Sequence, residues 1–305
     1  MRDAFARTLT KNLTKNKSLY LMIGDTGSGL FDEIEKKRPN QFINAGIAEA
    51  NMVTAACGLS AYGFNVFVYA IGPHVVYRAY EQIRNDVCLN NSNVKIISIG
   101  SGLHYADHGP THHSTEDFAV LRCLPNIKIL SPSGDFEVEQ MTNYLSKFKG
   151  PAYLRLGRGN DDHFKNKFNP HKAKTLKSGS NLSIFATGAS VNEVYQLIET
   201  EFKGNLIELI NVSTIKPLDQ LAIIKSCLKT NNVLVVEEHQ KYGGLTEAIS
   251  STILNNHITV KSFNTVSVND VFCSYSGTYD GIKKKFKISK EDIKNKILKI
   301  LKKLN

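Results

Sequence analysis

Asn44-Ala45-Gly46-Ile47-Ala48-Glu49-Ala50-Asn51-Met52 sets one carboxylate at a glycine turn, where a run of small and apolar residues begins. The run continues to Tyr62 and stops at Gly63, so it reads as a buried helix with Glu49 in its first turn. Short apolar runs flank it, Leu19 to Gly24 before and Val66 to Ala70 after, each of strand length. The same alternation continues outward. A helix is predicted over Tyr77 to Cys88, a strand over Val94 to Ile99, and helical residues over Thr115 to Leu124. A strand at Ile127 to Leu130, a helix at Phe136 to Lys147 and a strand at Ala152 to Leu156 complete the series. Strands alternating with helices imply a mostly parallel sheet covered on both faces.

Residues 157–178 change character, with Gly157-Arg158-Gly159-Asn160-Asp161-Asp162 followed by Lys, Asn and Pro and few apolar positions. From Asn181 the alternation restarts. Strands are predicted at Leu182 to Ala186, Leu206 to Ile210 and Val233 to Val236. Helices are predicted at Val191 to Glu201, Leu218 to Leu228, Thr246 to Leu254 and the C-terminus. The fold class is therefore α/β with two doubly wound domains, over residues 1–160 and 179–305, joined by a linker over 161–178.

Composition narrows the function. A chain of 305 residues can hold two cores, and 42% hydrophobic with 22% charged residues is ordinary for a globular protein. No apolar run reaches the ~18 residues that span a bilayer. Met1 to Thr8 lacks the apolar stretch of a signal peptide, so a cytoplasmic location is expected. The five cysteines (Cys57, Cys88, Cys123, Cys227, Cys273) are scattered and never form a C-x-x-C pair, which argues against a disulfide framework or structural zinc. The net charge of +10 is mostly local, because the last 25 residues hold ten lysines against Glu291 and Asp292. There Ile293, Ile297, Ile300, Leu301 and Leu304 recur at helical spacing behind a Ser289 cap, giving an amphipathic helix with a solvated lysine face. Neither nucleic acid nor membrane is an expected partner.

Asp107-His108-Gly109-Pro110-Thr111-His112-His113-Ser114-Thr115-Glu116-Asp117 is a second polar knot. Gly109-Pro110 cannot continue a helix, so the knot is a shaped loop beside the carboxyl ends of parallel strands, where ligands bind. Five of the nine histidines (His74, His104, His108, His112, His113) fall between positions 74 and 113. A metal helix through His104, His108 and His112 would be broken by Gly109-Pro110, so polar recognition or proton transfer is the expected role. His163 and His257 are isolated and carry no expected role. Glu49 could simply complement a helix dipole, but beside this knot it reads as half of an active site. Arg155 and Arg158 end a strand at the same edge, and arginine's forked donors suit phosphate. Gly24-Asp25-Thr26-Gly27 with Asn51 imitates a diphosphate-and-magnesium motif, but Thr26 replaces its second glycine. A substrate-side or interface loop is the better reading.

Together these residues resemble the C-terminal section of transketolase in its separately encoded form. Asn44 to Met52 is similar to the pyrimidine-domain signature, and Gly109-Pro110-Thr111-His112 to the substrate-loop motif. Leu130-Ser131-Pro132-Ser133 is similar to the strand and loop that come after that motif. Asn211 to Asp219 and Val236-Glu237-Glu238-His239 with Gly243-Gly244 resemble the transketolase C-terminal domain. The resemblance implies thiamine diphosphate as cofactor, with Glu49 hydrogen-bonded to the pyrimidine N1′ as the catalytic glutamate. A buried carboxylate suits that task, because burial favours sharing a proton. His112 would be the substrate-loop histidine, Arg158 the arginine for substrate phosphate, and Asp25 the aspartate near cofactor and subunit contact. Ile71 and His74 lie where phenylalanines would stack on the pyrimidine. His108, after Asp107, replaces the family's aspartate, which implies a different sugar preference.

The resemblance further implies a two-carbon ketol transfer from a ketose phosphate, or a modified sugar, to an aldose. The diphosphate-and-Mg2+ domain is expected on a transketolase N-terminal subunit carrying Gly-Asp-Gly…Asn, with a homodimer core and an α2β2 assembly. Three alternatives stay open: a fragment like 1-deoxy-D-xylulose-5-phosphate synthase, a 2-oxo acid dehydrogenase β-like subunit, and a non-catalytic scaffold of the same fold.

Overall fold

The computed structural model describes residues 1–159, 167–202, 204–272 and 274–303. Leu304, Cys273, His163 and Asn160 to Asp162, which entered the sequence reading, lie outside the described residues. Twelve strands are described: β1 (Leu19–Ile23), β2 (Phe42–Asn44), β3 (Asn65–Ile71), β4 (Val94–Ile99), β5 (Lys128–Leu130), β6 (Ala152–Leu156), β7 (Lys174–Lys177), β8 (Leu182–Ala186), β9 (Ile207–Asn211), β10 (Thr214–Lys216), β11 (Asn232–Gln240) and β12 (Ser262–Val268). The first sheet runs β10-β5-β6-β4-β3-β1-β2 and the second β12-β11-β8-β9-β7. Only β10 and β7, each at an edge, pair antiparallel among these described strands.

Period-two alternation explains why helices cover both faces of the first sheet. Val66, Val68 and Ala70 of β3 join the core formed by Met52, Val53 and Ala56 of the helix Glu49–Ala61. Phe67 and Tyr69 point the other way, against Phe5 and Leu9 of the helix Arg2–Lys15. Phe5 stacks on Tyr69 at 5.8 Å between ring centroids. Strands buried on both faces are near-continuous apolar runs, as the sequence of β3 shows.

Four features depart from the sequence reading. The expected helix Tyr77 to Cys88 starts earlier, at Gly72–Val76, with Pro73 in its first turn. It ends in π-helical turns over Ile83–Leu89, which bring Ile83, Val87 and Cys88 to the core together. The expected linker contains β7, an edge strand whose lysines made it look like loop. β10 leaves the second domain to pair with β5, so the two units share structure. The helices Arg2–Lys15 and Tyr279–Lys285 and the strand β12 carry no strong sequence signal and were not expected. The C-terminal helix Lys290–Lys302 does have its Ser289–Asp292 capping box.

The domains are joined around Asp117, which is fully buried. Its Oδ2 accepts from Nε of Arg155 at 2.7 Å and from the Tyr153 hydroxyl at 2.6 Å. Arg155 also donates through Nη2 to the carbonyls of Ser114 and Glu238, each at 3.0 Å, and so reaches β11. His239 stacks on Phe118 at 5.2 Å, from the second domain onto the first. Removing one member of a buried ion pair leaves the other uncompensated, at a cost of about 3–5 kcal/mol. Asp117→Ala is expected to lower stability by that amount in urea unfolding of the whole chain; a loss of a few tenths would show the pair to be incidental.

Candidate active site

Because β1, β2, β3, β4 and β6 are parallel, the loops at their carboxyl ends gather at one edge of the first sheet. Gly46 there has φ +71°, which turns the chain into the helix beginning at Glu49. The Asn44 side chain fixes that turn. Its Oδ1 accepts from the N–H of Gly46 at 3.0 Å and of Asp25 at 3.2 Å, while its Nδ2 donates to Asp25 Oδ1 at 3.2 Å. Asp25, exposed and with φ +52°, is thereby tied to the Glu49 turn.

Glu49 is 1% exposed. Its Oε2 accepts from Nη1 of the half-exposed Arg78 at 2.5 Å. Oε1 lies 3.9 Å from Nδ1 of His74, beyond hydrogen-bonding distance. From His74 a row of imidazoles leads outward: the His74 and His112 rings are 5.1 Å apart, and His112 and His108 again 5.1 Å. His108 Nδ1 meets Asp107 Oδ1 at 2.8 Å, and this hydrogen bond pulls the Asp107 pKa down. Burial lowers the pKa of His74, helped by the Arg78 charge, and of His112, helped by His74, His108 and His113. Both rings are thus neutral near pH 7, suited to accept as well as donate a hydrogen bond.

The histidine loop has a closed neck. Gly102 and Ser114 exchange backbone hydrogen bonds at 3.0 and 2.8 Å. Tyr105 packs inside against Gly100, whose φ is +76° and where a Cβ would come within 2.1 Å of the ring. On the far side of Tyr105 is a cleft of about 250 Å³ lined by Arg2, Asp3, His104, Tyr105, Leu156 and Arg158. Arg158 stands there over the Tyr279 ring, 4.9 Å from its centroid.

The structure thus brings Glu49, His74 and His112 together, with His108 and Asp107 next in line. It ties Asp25 to them through Asn44. Ile71 is half-buried at the end of β3, one residue before the helix that carries His74. Arg158 lines the neighbouring cleft rather than the imidazole row. Arg155 is not a phosphate donor: its position in the strand turns it inward, to Asp117. Sequence reasoning missed Arg78 and Arg2. Arg78 lies in the turn that follows the helix Gly72–Val76, four residues after His74, and Arg2 lies in a helix with no expected role. Among the described residues no group of three or more His, Cys, Asp or Glu is placed to hold a metal. No described helix is long and apolar enough to cross a membrane.

Comparison with known proteins is consistent along the chain. Residues 1–161 match the transketolase pyrimidine binding domain, and residues 171–293 the transketolase C-terminal domain. The chain is 33% identical over 297 residues to an apulose-4-phosphate transketolase subunit of Phocaeicola vulgatus, covering 92% of this chain and 94% of that one. It is also 33% identical over 269 residues to 1-deoxy-D-xylulose-5-phosphate synthase of Gloeothece citriformis, but there it covers only 41% of the relative. A split gene transketolase solved as an inactive β4 tetramer superposes with a TM-score of 0.87 at 27% identity, covering 99% of this chain and 97% of that one.

The neutral histidines make stability depend on pH. Burial lowers the pKa of His113, which is 4% exposed, below its ordinary 6.5, as it does for His74, His104 and His112. The unfolded chain therefore binds more protons just below that value, so the stability present above it is lost as the pH falls through the folded-state pKa values. Urea midpoints are expected to fall between about pH 7 and about pH 5, with a shallower fall in His113→Asn. A flat profile in the parent protein would contradict the assignment.

Proposed function

The chain belongs to the transketolase family, and we propose that it is the C-terminal subunit of a two-subunit transketolase moving a two-carbon ketol unit from a ketose phosphate or a modified sugar to an aldose. The observation that carries this reading is Glu49: a buried carboxylate at the carboxyl edge of a parallel sheet, next to neutral imidazoles. The cofactor implied is thiamine diphosphate, which when bound supplies the carbon nucleophile and the electron sink. The residues fit its pyrimidine end. Glu49 offers a shielded acceptor 3.9 Å from His74, and Ile71 ends β3 one residue before the helix that carries His74.

Each residue has a role that its surroundings support. Glu49 presents a buried carboxylate oxygen as the hydrogen-bond acceptor for the pyrimidine end. Arg78 pairs with the Glu49 carboxylate through a half-exposed side chain. His112 and His108 read sugar hydroxyls and move protons between them, with Asp107 setting the orientation of His108. Arg158, Arg2 and His104 bind the phosphate of the donor in the adjacent cleft. His108 gives this loop an imidazole where the family pattern has an acid, which supports a modified or unusual sugar. The relative from P. vulgatus, named for apulose-4-phosphate, is consistent with such substrates.

The diphosphate end and its Mg2+ are assigned to an N-terminal transketolase subunit, in an α2β2 assembly around a homodimer of this chain. Two observations support that arrangement. The helix Glu49–Ala61 exposes Ala55, Gly58 and Ala61 outward, between Ile47 at 76% and Tyr62 at 86% exposure, an apolar face suited to a second copy. The split gene transketolase whose fold matches this one is described as inactive when it is a tetramer of β chains. The four described cysteines are free, in keeping with a reducing, cytoplasmic compartment.

The test is the complex of this chain with a subunit carrying the diphosphate domain. Transfer from a ketose phosphate is expected, without consumption of pyruvate, and Glu49→Gln is expected to reduce turnover by at least ~100-fold. Pyruvate consumption would favour the synthase-like reading, and unchanged turnover in Glu49→Gln would defeat the catalytic one.

A further inference from the structure

Glu238, near the end of β11 and 7% exposed, reaches from the second domain into the candidate site. Its Oε1 accepts from the backbone N–H of Leu103 at 2.5 Å, at the root of the loop carrying His104, His108 and His112. Its Oε2 accepts from the Tyr279 hydroxyl at 2.6 Å. The approach is close: Gly102 has φ +64°, and a Cβ there would lie 2.7 Å from Glu238 Oε1. The same segment touches the loop again, where the N–H of Gly277 donates to the carbonyl of Ala106 at 3.1 Å. Tyr279 then offers its ring face to the Arg158 guanidinium at 4.9 Å, with Lys283 at 5.2 Å from the same centroid.

We propose that Glu238 and Tyr279 are positioning residues through which the second domain sets selectivity for a phosphorylated donor. A ring face fixes the plane of a guanidinium without using its N–H groups, so Arg158 is held at the wall of the cleft with its donors uncommitted to the ring. Glu238 links that ring to the root of the histidine loop, so the group that binds phosphate and the groups that read hydroxyls keep one spacing. A misplacement of either half is felt as weaker binding of a substrate that must touch both. The second domain is in this sense part of the specificity apparatus, although neither residue touches the reacting atoms.

The proposal rests on the transketolase reading, and the experiment separates the two. The reconstituted complex is assayed with a ketose phosphate and with an unphosphorylated ketose. Tyr279→Leu is expected to raise KM for the ketose phosphate roughly three- to tenfold, the effect of losing a cation–π contact and freeing one side chain, while KM for the unphosphorylated donor stays put. Tyr279→Phe keeps the ring and is expected to restore most of the preference. Glu238→Ala is expected to raise KM for the ketose phosphate more than for the unphosphorylated donor, and Glu238→Gln, which still accepts from Leu103, to restore it. Equal effects of Tyr279→Leu on both donors, or none, overturn the proposal. If the parent complex moves no ketol unit at all, it is the function proposed above that fails. Titration of the chain alone with inorganic phosphate then decides the positioning role: weaker binding in Tyr279→Leu supports it, and equal binding overturns it.

Discussion

One buried ion pair organises this molecule. Asp117 and Arg155 meet where the first sheet, the neck of the histidine loop and β11 of the second domain converge. Both charges are out of water, so the pair is tolerable only because its remaining donors and acceptors are filled by Tyr153, the Phe118 N–H and two carbonyls. Those partners come from different parts of the chain, and the geometry that satisfies the charges therefore fixes the relative placement of the parts. Phe118, lying under Arg155 at 4.5 Å and stacked with His239, closes the space that is left.

The chemistry depends on that constraint. With the loop neck pinned between Arg155 and Glu238, the imidazoles of His108 and His112 stand in a fixed row beside His74 and Glu49. Burial keeps His74 and His112 neutral and Glu49 shielded, while Arg2, paired with Asp3, and Arg158 line the separate cleft behind Tyr105. A sugar phosphate presents the same division, a neutral polyol at one end and a dianion at the other. The motif Glu237-Glu238-His239 shows how one short stretch can serve several ends. Glu237 caps the helix Leu245–Asn255 through the N–H groups of Leu245 and Thr246, Glu238 holds the loop root, and His239 packs on Phe118.

Much of this was legible in the sequence because it is local. The β3 run Asn65–Ile71 and the helix Glu49–Ala61 announce themselves by composition, and Ser289 with Asp292 announces a helix start. What was missed is long-range or weakly patterned. β7 looks like linker because an exposed edge needs lysines more than apolar residues, and β10 is invisible as a member of the first sheet because pairing across domains has no local signature. Arg155 misled for a related reason: a strand residue next to a site is placed by its partner, and Asp117 lies 38 positions away in sequence. Glu49, His74, His108 and His112 could be named as candidates from local sequence, whereas Arg78 and Tyr279 became visible only once the rings and charges around them were placed.

The central claim is that this chain supplies half of a thiamine diphosphate site. Its most direct measurement is calorimetric titration of thiamine diphosphate with Mg2+ into this chain alone, into the subunit carrying the diphosphate domain, and into their mixture. Tight binding is expected only in the mixture, with a stoichiometry of one cofactor for each chain of this kind. Equally tight binding by this chain alone would contradict it.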